Sequence, residues 1–459
     1  MEFVKSVPND KEQILAAIKS QINTHREVDL KKMLEELHPA DIAEIIESLA
    51  EKQRVSVFGL LSSEKAAAVL YELNSEIVAP LMESLDKSMA AEIMDEMSTD
   101  DAADIIGDLK DEDKAKLLNL MEYADAEDVQ ELMDYPEDTA GGIMTTEYVA
   151  IREDITVERA IQVVREFAQE AETVYYVYVI NERNQLVGVI SLRELILAKS
   201  SATIADVMRR KVVSVNVQTD QEEVANMVAK YDFLAVPVVD NNNQLLGIVT
   251  VDDVIDVIRE EATEDMYLLV GTTEIDDEED LYHRIRKSVR YRLPWLLITL
   301  MSGVISGQII KSFSGALNAM VALAFFIPLL TGMGGNLGTQ SSTIIVRGIA
   351  TGQIDSRKIL HNIIREGLVG LSIGLICGFI VAIFAVLWQG KPILGLIVGL
   401  AMWGNMVTAA TIGTLVPLLL KKFNIDPAVA SAPFISTTLD NTGLIIYGSL
   451  TMLFFKFLI

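Results

Sequence analysis

TTLDNTGLIIYG, residues 437–448, places one carboxylate, Asp440, inside the last long apolar stretch of the chain. Whether that stretch crosses a membrane decides the fold. A charged side chain at bilayer depth costs at least about 2.5–3.5 kcal/mol on insertion scales, so it points to a functional site and needs a partner. Apolar runs of roughly 20 residues, the length that crosses about 30 Å of hydrocarbon, lie at 294–312, 316–334, 364–388, 393–420 and 429–457. Five spans are therefore expected. The block RIRKSVRYR (284–292) precedes the first, and Arg347, Arg357, Lys358 and Arg365 lie between the second and third. Lys421 and Lys422 follow the fourth, while the opposite-side connections hold one lysine each, Lys311 and Lys391. By the positive-inside rule this alternation puts the N-terminal part in the cytoplasm and the C-terminus outside.

Charge is divided along the chain as sharply as hydropathy. Of 459 residues half are hydrophobic, yet 66 Asp and Glu stand against 38 Lys and Arg. From Pro294 onward there are four acidic and nine basic residues, which leaves 62 acidic and 29 basic side chains, net −33, in residues 1–293. Such an excess disfavours nucleic acid and favours cations as partners. The one cysteine, Cys377, sits in an apolar run, which excludes a disulfide framework and a thiolate metal site. The N-terminus MEFVKSVPNDKEQ lacks an apolar core of signal-peptide length.

Two further regions precede the spans. In residues 10–135, HPADIAEIIESL (38–49), SSEKAAAVLYEL (62–73), DKSMAAEIMDEM (86–97) and STDDAADIIGDL (98–109) each have a cap-like polar start and apolar positions at helical spacing, such as Ile42, Ile45, Ile46 and Leu49. Degenerate and unevenly spaced, they read as short helices stacked in a superhelix, with an ordinary helical bundle as the alternative. Residues 144–266 then repeat one grammar twice: a methionine-containing lead, a helix, a β-rich run (VYYVYVI; LAVPVVD), a turn, and LVGVISLREL or LLGIVTVDDV. This duplication resembles a tandem pair of cystathionine-β-synthase-type (CBS) modules, which commonly bind adenine nucleotides. In that pattern a hydroxyl and an acid three residues on contact ribose, matching Thr250 and Asp253 and, less well, Ser191 and Glu194; a helix cap without ligand is the alternative. The helix that follows, VDDVIDVIREEATEDMYLL (251–269), holds Asp252, Asp253, Asp256, Glu260, Glu261, Glu264 and Asp265. Like charges at i,i+4 repel, so this face is either merely solvated or suited to hard divalent cations, which prefer oxygen ligands.

Within the spans, PLLTGMGGNLGTQSSTIIVRG (328–348) combines Pro328 and the four glycines at 332, 334, 335 and 338 with Asn336, Gln340, Ser341 and Ser342. SAPFISTTLDNTG (431–443) adds Pro433, Ser436, Thr437, Thr438, Asp440, Asn441 and Thr442. Non-helical polar backbone at membrane depth is tolerated where it lines a water-filled path, and facing broken helices build ion sites. Both stretches are expected to break their helices. Hydroxyl capping, or pairing with a cation such as Arg365, is the alternative account of Asp440.

The whole layout over residues 20–459 resembles the MgtE family of magnesium transporters, on YPEDTAGGIMTTEYVAI (135–151), YYVYV (175–179), DQEEVA with YDF, TVDDVIDVI with EATED, PLLTGMGGNLGTQS, and PF with TLDNTGLIIY. The resemblance implies a multidomain membrane protein. Its parts are an all-α superhelical N domain (1–135), an α+β CBS pair (136–266, as 136–205 and 206–266), a connecting helix (267–293) and a five-helix pore domain (294–459). It implies a homodimer in the prokaryotic inner membrane that passes Mg²⁺ inward and closes when cytoplasmic Mg²⁺ is high, with Mg²⁺ as both substrate and regulator and ATP as a regulator only. Carried over residue by residue, the pore ion falls to Asp440, with Asn336 and Thr438. Cytoplasmic sensing falls to Asp100, Asp104, Glu222, Asp232, Asp256, Glu261, Glu264 and Asp265. Nucleotide binding falls to Tyr176, Arg193, Phe233 and Asp252, beside Thr250 and Asp253. The chain departs from the family pattern in reading GGNLGTQS for GGNTGNQS and in having Ala432 where a polar residue can stand. Alternatives are transport of Mn²⁺, Co²⁺ or Ca²⁺, and a membrane-anchored cation or nucleotide sensor that does not transport. An enzyme is not expected, since the four histidines and one cysteine form no nucleophilic arrangement.

Overall fold

Among the described residues nine short helices begin at positions 27, 39, 51, 63, 75, 87, 99, 111 and 123, twelve residues apart. They are α1 (Glu27–Glu36), α2 (Pro39–Glu47), α3 (Glu51–Phe58), α4 (Ser63–Glu72), α5 (Ser75–Ser84), α6 (Lys87–Met94), α7 (Thr99–Gly107), α8 (Asp111–Leu118) and α9 (Tyr123–Leu132). The computed structural model describes residue 18 and residues 27–169, 171–273, 281–355, 357–429 and 432–458, in two compact units divided between Ile258 and Arg259. The expected superhelix is present, and its spacing is regular rather than uneven. The eleventh position of every repeat is Leu or Met, from Leu37 through Leu73 to Met133. Three helix starts are capped by side chains that accept from orphan backbone N–H groups, Ser62 from Lys65, Asp86 from Ser88 and His38 from Ala40. Each helix packs on the next but one, α2 on α4 on α6 on α8, and α3 on α5 on α7 on α9. Two ranks of helices therefore stack into one solenoid.

Two three-stranded sheets follow, of identical design. The first holds β1 (Tyr148–Arg152), β2 (Thr173–Ile180) and β3 (Leu186–Ser191), with α10 (Val157–Phe167) and α11 (Leu192–Leu197). The second holds β4 (Val215–Asn216), β5 (Ala235–Val239) and β6 (Leu245–Thr250), with α12 (Gln221–Tyr231) and α13 (Val251–Leu269). In each the first pair is parallel and the second antiparallel. The modules exchange reciprocal bonds: Leu186 N–H donates to Asn243 O at 2.9 Å and Leu245 N–H to Asn184 O at 3.1 Å. Their leads also cross over, Thr145 bridging Ile248 of β6 and Arg209 bridging Val189 of β3. A pseudo-twofold pair results. The solenoid's hydrophobic core runs without interruption into the second module, through Val224, Val236, Val249, Val254 and Val257, whereas the first module keeps its own.

The second unit is helical. Its helices are α14 (Leu281–Ser312), α15 (Ile327–Ala350), α16 (Ile359–Gln389), α17 (Pro392–Lys422) and α18 (Ala432–Leu453), with a 3₁₀ turn at Val321–Phe326 leading into α15. Four stretches have the length and composition to cross a membrane: Arg284–Ser312, Val321–Ala350, Ile359–Gln389 and Pro392–Lys422. The fifth expected span is the 22-residue α18, which the polar stretch STTLDNTG sets apart from those four. The second span is displaced from its expected 316–334, because Val321–Phe326 and α15 together form it.

The expected helix breaks are absent. TGMGGNLGTQSS lies within the 24 residues of α15, and PFISTTLDNTG lies within α18; Ser431 is outside the described residues. The glycines serve packing instead. A Cβ on Gly338 would stand 1.9 Å from a methyl of Leu439 on α18, and one on Gly413 of α17 would stand 2.3 Å from the Gly338 carbonyl. At Gly338 the backbone of α15 thus meets the backbone of α17 at Gly413 and the side chains of Leu439 and Ile435 of α18, small residues being the usual means of close approach in a bilayer.

The solenoid's regularity makes a local prediction. Ile93, on α6, is fully buried in the shared core, so Ile93→Ala is expected to cost about 2–4 kcal/mol by leaving a cavity. Thermal unfolding followed by circular dichroism checks it; a melting temperature unchanged within error refutes the assigned packing.

Candidate functional site

Some of the expected sensing residues gather where α7, the strand-preceding segments and α13 meet within the first unit. Asp100, in the first turn of α7, is 5% exposed, and its Oδ1 has no hydrogen-bond partner. Burial, with Asp101 next to it, pushes its carboxyl up to about 7. Asp253, in the first turn of α13, is likewise pushed up to about 7 by burial and then by Asp100, and Glu147 to about 7 by burial and then by Asp100. Asp101 feels Asp253, Asp252 and Asp256, and Tyr71 is raised by burial and by the same three. One carboxylate oxygen each of Glu172, Asp252 and Asp253 lies within 4.8 Å of the others, close enough for one hard cation with oxygen ligands. Besides burial, neighbouring carboxylates raise these acids, while the hydroxyls of Ser98 and Thr250 and nearby backbone N–H groups lower them. The local arrangement is held by hydroxyls: Thr99 meets Thr145 at 3.2 Å and Thr146 at 3.1 Å, and Thr146 donates to Asp128 at 3.3 Å.

Of the expected sensing residues, the structure brings Asp100, Asp104 and Asp256 into this field, with Asp101, Asp252 and Asp253. Glu147 and Glu172 belong to it and were not expected; Glu147 stands alone in MTTEYVA and Glu172 follows Glu170 in AQEAETV, so neither sits in a dense acidic run like that of 251–265. Glu222 and Asp232 lie in the first turn and at the left-handed C-cap of α12, about 15 Å apart at 1.5 Å per residue, too far to share one ion. Glu261, Glu264 and Asp265 lie further along α13, past Ile258, where the first unit ends. The acidic stretch EIDDEED of the expected connecting segment is outside the described residues.

The two ribose-type pairs differ in state. Ser191 and Glu194 form a reciprocal capping box at the start of α11, and Glu194 is further bound by Arg209 at 2.5 and 3.0 Å. That pair is satisfied as a cap, and its carboxyl is lowered by the Ser191 and Arg209 hydrogen bonds against a desolvation that raises it. Thr250, buried at the end of β6, donates to Asp253, and the neighbours of this pair are acids. Tyr176 packs on the core shared by the modules, against Tyr178, Leu186, Ala235, Val239, Leu245 and Ile248. Phe233 stacks on Tyr231 at 5.4 Å, and Arg193 is exposed on α11. A polar cleft of about 360 Å³, lined by Arg152, Glu153, Asp154 and residues 180–185, includes none of these.

In the second unit Asp440 is half-buried on α18, and among the described residues it has no hydrogen-bond or ion-pair partner. The hydroxyls around it bond their own helix, Thr437 and Thr438 to Phe434 O and Thr442 to Thr438 O. Arg365 pairs with Glu366 at 3.5 Å. Neither internal account of Asp440 is therefore realised. Its neighbour Asn441 is clamped by α14: Ser306 donates to Asn441 Oδ1 at 2.8 Å, and Asn441 Nδ2 donates to Ser302 Oγ at 2.7 Å. α15 packs directly on α18 and presents Asn336 and Gln340, one turn apart, as exposed side chains. Exposed amides on a helix of spanning length and a carboxylate without a partner are groups that water, an ion or a second copy would have to satisfy.

Comparison with known proteins gives matches along most of the chain. Residues 327–450 match the family described as "Divalent cation transporter", residues 37–138 the "MgtE intracellular N domain", and residues 140–201 and 204–260 the "CBS domain". The "Magnesium transporter MgtE" of Thermus thermophilus is 43% identical over 320 residues, 69% of this chain and 70% of that protein. The one from Bacillus subtilis is 42% identical over 70% of each. Among solved structures, "the soluble part of a magnesium transporter" is 40% identical, with a TM-score of 0.51 over 55% of this chain and all of the other. "The cytosolic domain of the Mg2+ channel MgtE in complex with ATP" is 42% identical, with a TM-score of 0.51 over 53% of this chain and 99% of the other.

The buried acids give a signed prediction. Their folded pKa values lie above the ordinary carboxylate value, so the folded protein takes up protons that the unfolded chain releases. Stability in chelator is fully present below about pH 4 as far as these groups contribute, and it falls as pH rises through about 7. Asp100→Asn is expected to raise the melting temperature in chelator at pH 8 by a few degrees and to shrink the further rise produced by Mg²⁺. A variant that melts lower in chelator and keeps the full Mg²⁺ response contradicts the assignment.

Proposed function

As the chain belongs to the MgtE family of magnesium transporters, we propose that it is a homodimeric, channel-type carrier that lets Mg²⁺ into a prokaryotic cell and closes when cytoplasmic Mg²⁺ is high. The observation that carries this reading is Asp440, a carboxylate in a membrane-embedded helix to which the described residues offer no partner. A hydrated dication on the axis between two copies supplies that partner, with Asn336 and Thr438 beside it. Mg²⁺ sheds its waters reluctantly, so the carboxylate holds the ion through them, and polar side chains suffice as further lining.

Closure is the work of the acidic first unit. With cation scarce, Asp100, Asp104, Asp253, Asp256 and Glu172 repel one another. Mg²⁺ bound among them favours the form in which they lie close, and Glu222, Asp232, Glu261, Glu264 and Asp265 are further weak sites for the same ion. Several weak sites acting together shift the equilibrium by their differential affinity for the two forms. ATP acts as a regulator at the ribose-type pair of the second module, Thr250 and Asp253, with Phe233 and the first module's Tyr176 beside the base, and Asp252 and the first module's Arg193 completing the contacts. The ATP complex of the related cytosolic domain supports this. The acids near Thr250 favour a nucleotide that arrives with its own cation. The basic clusters flanking the spans support a cytoplasmic N-terminal unit and an outward C-terminus.

Flux of Mg²⁺ into liposomes containing this protein alone tests the pore. Asp440→Ala is expected to lower it at least about tenfold, since the fixed charge that attracts the ion is gone, while dimerisation is retained. Near-normal flux in that variant refutes the pore assignment. The sensing set is tested by the quadruple variant Asp256→Asn, Glu261→Gln, Glu264→Gln, Asp265→Asn, which is expected to stay conducting at millimolar-range cytoplasmic Mg²⁺. An unchanged closing midpoint makes those carboxylates a solvated face and nothing more.

A further inference from the structure

Asn405 lies near the middle of α17 and is completely buried. Its neighbours along the helix face, Ala401, Met402, Met406 and Ala409, are apolar and at most 1% exposed. Its Nδ2 crosses to α15 and donates to the carbonyl of Leu330 at 2.7 Å, 75 residues away in sequence. Its Oδ1 has no hydrogen-bond partner. Two glycines bracket the amide: a Cβ on Gly334 of α15 would stand 2.5 Å from Nδ2, and a Cβ on Gly443 of α18 would stand 2.9 Å from Oδ1. Gly334 is two residues from Asn336, and Gly443 is three from Asp440. One side chain therefore sits between the two helices that hold the proposed pore residues, close beside both sets.

An apolar side chain such as leucine, branched at the same carbon though larger, would bury no unpaired acceptor, which is a costly thing to leave in an apolar interior. The amide therefore does something that packing alone does not require. Its donor ties the first turn of α15 to α17, and its planar head, too large to coexist with any Cβ at 334 or 443, sets how closely α15 and α18 approach. We propose that Asn405 is a positioning residue of the ion pathway, one that fixes the separation of α15 and α18 and hence the width at Asn336 and Asp440. The two motif glycines are then the complement of this one side chain, which accounts for Gly334 and Gly443 where helix breaking does not. Asn405 does not meet the ion itself, so it acts on passage and discrimination and leaves cytoplasmic closure alone.

This rests on the transport reading, and two measurements keep the two apart. Flux in liposomes is read for Mg²⁺ and Ca²⁺ at several concentrations. Separately, the α15–α18 distance is read by spin labels at Leu329→Cys and Ile445→Cys, both exposed positions, in a Cys377→Ala background. Asn405→Leu is expected to lower maximal Mg²⁺ flux about tenfold, the size of one lost interhelical hydrogen bond. It is also expected to narrow the preference for Mg²⁺ over Ca²⁺, to broaden the label distance, and to leave the Mg²⁺ midpoint for closure unchanged. Gly443→Ala is expected to lower flux alone and to be rescued in part by Asn405→Ala, which vacates the contact; this pair decides the matter should Asn405→Leu fail to fold. Unaltered flux and selectivity in Asn405→Leu, or a double variant no better than Gly443→Ala alone, overturns the proposal. Absence of flux in the unsubstituted protein overturns the transport reading, and the label distances then test the positioning role by themselves.

Discussion

Negative charge without internal compensation is the constraint on which the rest of this protein depends. In the first unit it is diffuse and many-sided: Asp100 and Asp253 stand buried near each other, and Glu147 and Glu172 sit in their field. In the second it is a single group, Asp440, on a helix packed among apolar neighbours. A folded chain ordinarily pairs such groups or protonates them. Here the acids of the first unit are raised by burial and by one another and take up protons, while Asp440 has no partner among the described residues. In the proposed reading a mobile dication serves both.

The scaffold holds the acids where repulsion would otherwise scatter them. The solenoid's core is continuous with the second module, so the first turn of α7 and the first turn of α13 are parts of one packed body. The threonine contacts around Thr99 and Thr145 anchor α7 to the lead of the first module. Hydrophobic burial supplies the stability against which the electrostatic cost is set, and that balance is open to adjustment by protons or metal. The pseudo-twofold pair also shows how duplication frees one copy. The Ser191–Glu194 cap is closed by Arg209, whereas Thr250–Asp253, at the equivalent end of β6, faces acids.

In the membrane unit the polar contacts between helices are few and placed beside the site. Ser302 and Ser306 hold Asn441, the residue after Asp440, and Asn405 holds Leu330 at the start of the glycine-rich turn sequence. α14, which carries both serines, is continuous from Leu281 to Ser312, so one helix joins the basic segment at 284–292 to the neighbour of Asp440. Interhelical hydrogen bonds fix register where apolar packing alone is tolerant of sliding.

Periodicity and charge were legible in the sequence because they are local properties. The helical spacing of HPADIAEIIESL, the doubled grammar of residues 144–266, the apolar runs and the isolation of Asp440 all follow from residues near one another, and they were enough to read the superhelix, the module pair and the membrane unit. The twelve-residue period was also there, in the recurrent Leu or Met from Leu37 to Met133, but degeneracy at the other positions hid it until the helices showed where each repeat begins. Only the tertiary structure decided what depends on approach between distant segments. GMGGNLGTQ reads as a helix breaker by composition, yet tertiary packing overrides propensity, and Gly338 is small because Leu439 and Gly413 lie against it. Glu147 and Glu172 join the acidic field through folding alone, and Asn405, one amide in an apolar run, acquires its meaning from Gly334 and Gly443, about 71 and 38 residues away along the chain but in contact across helices that only the fold brings together.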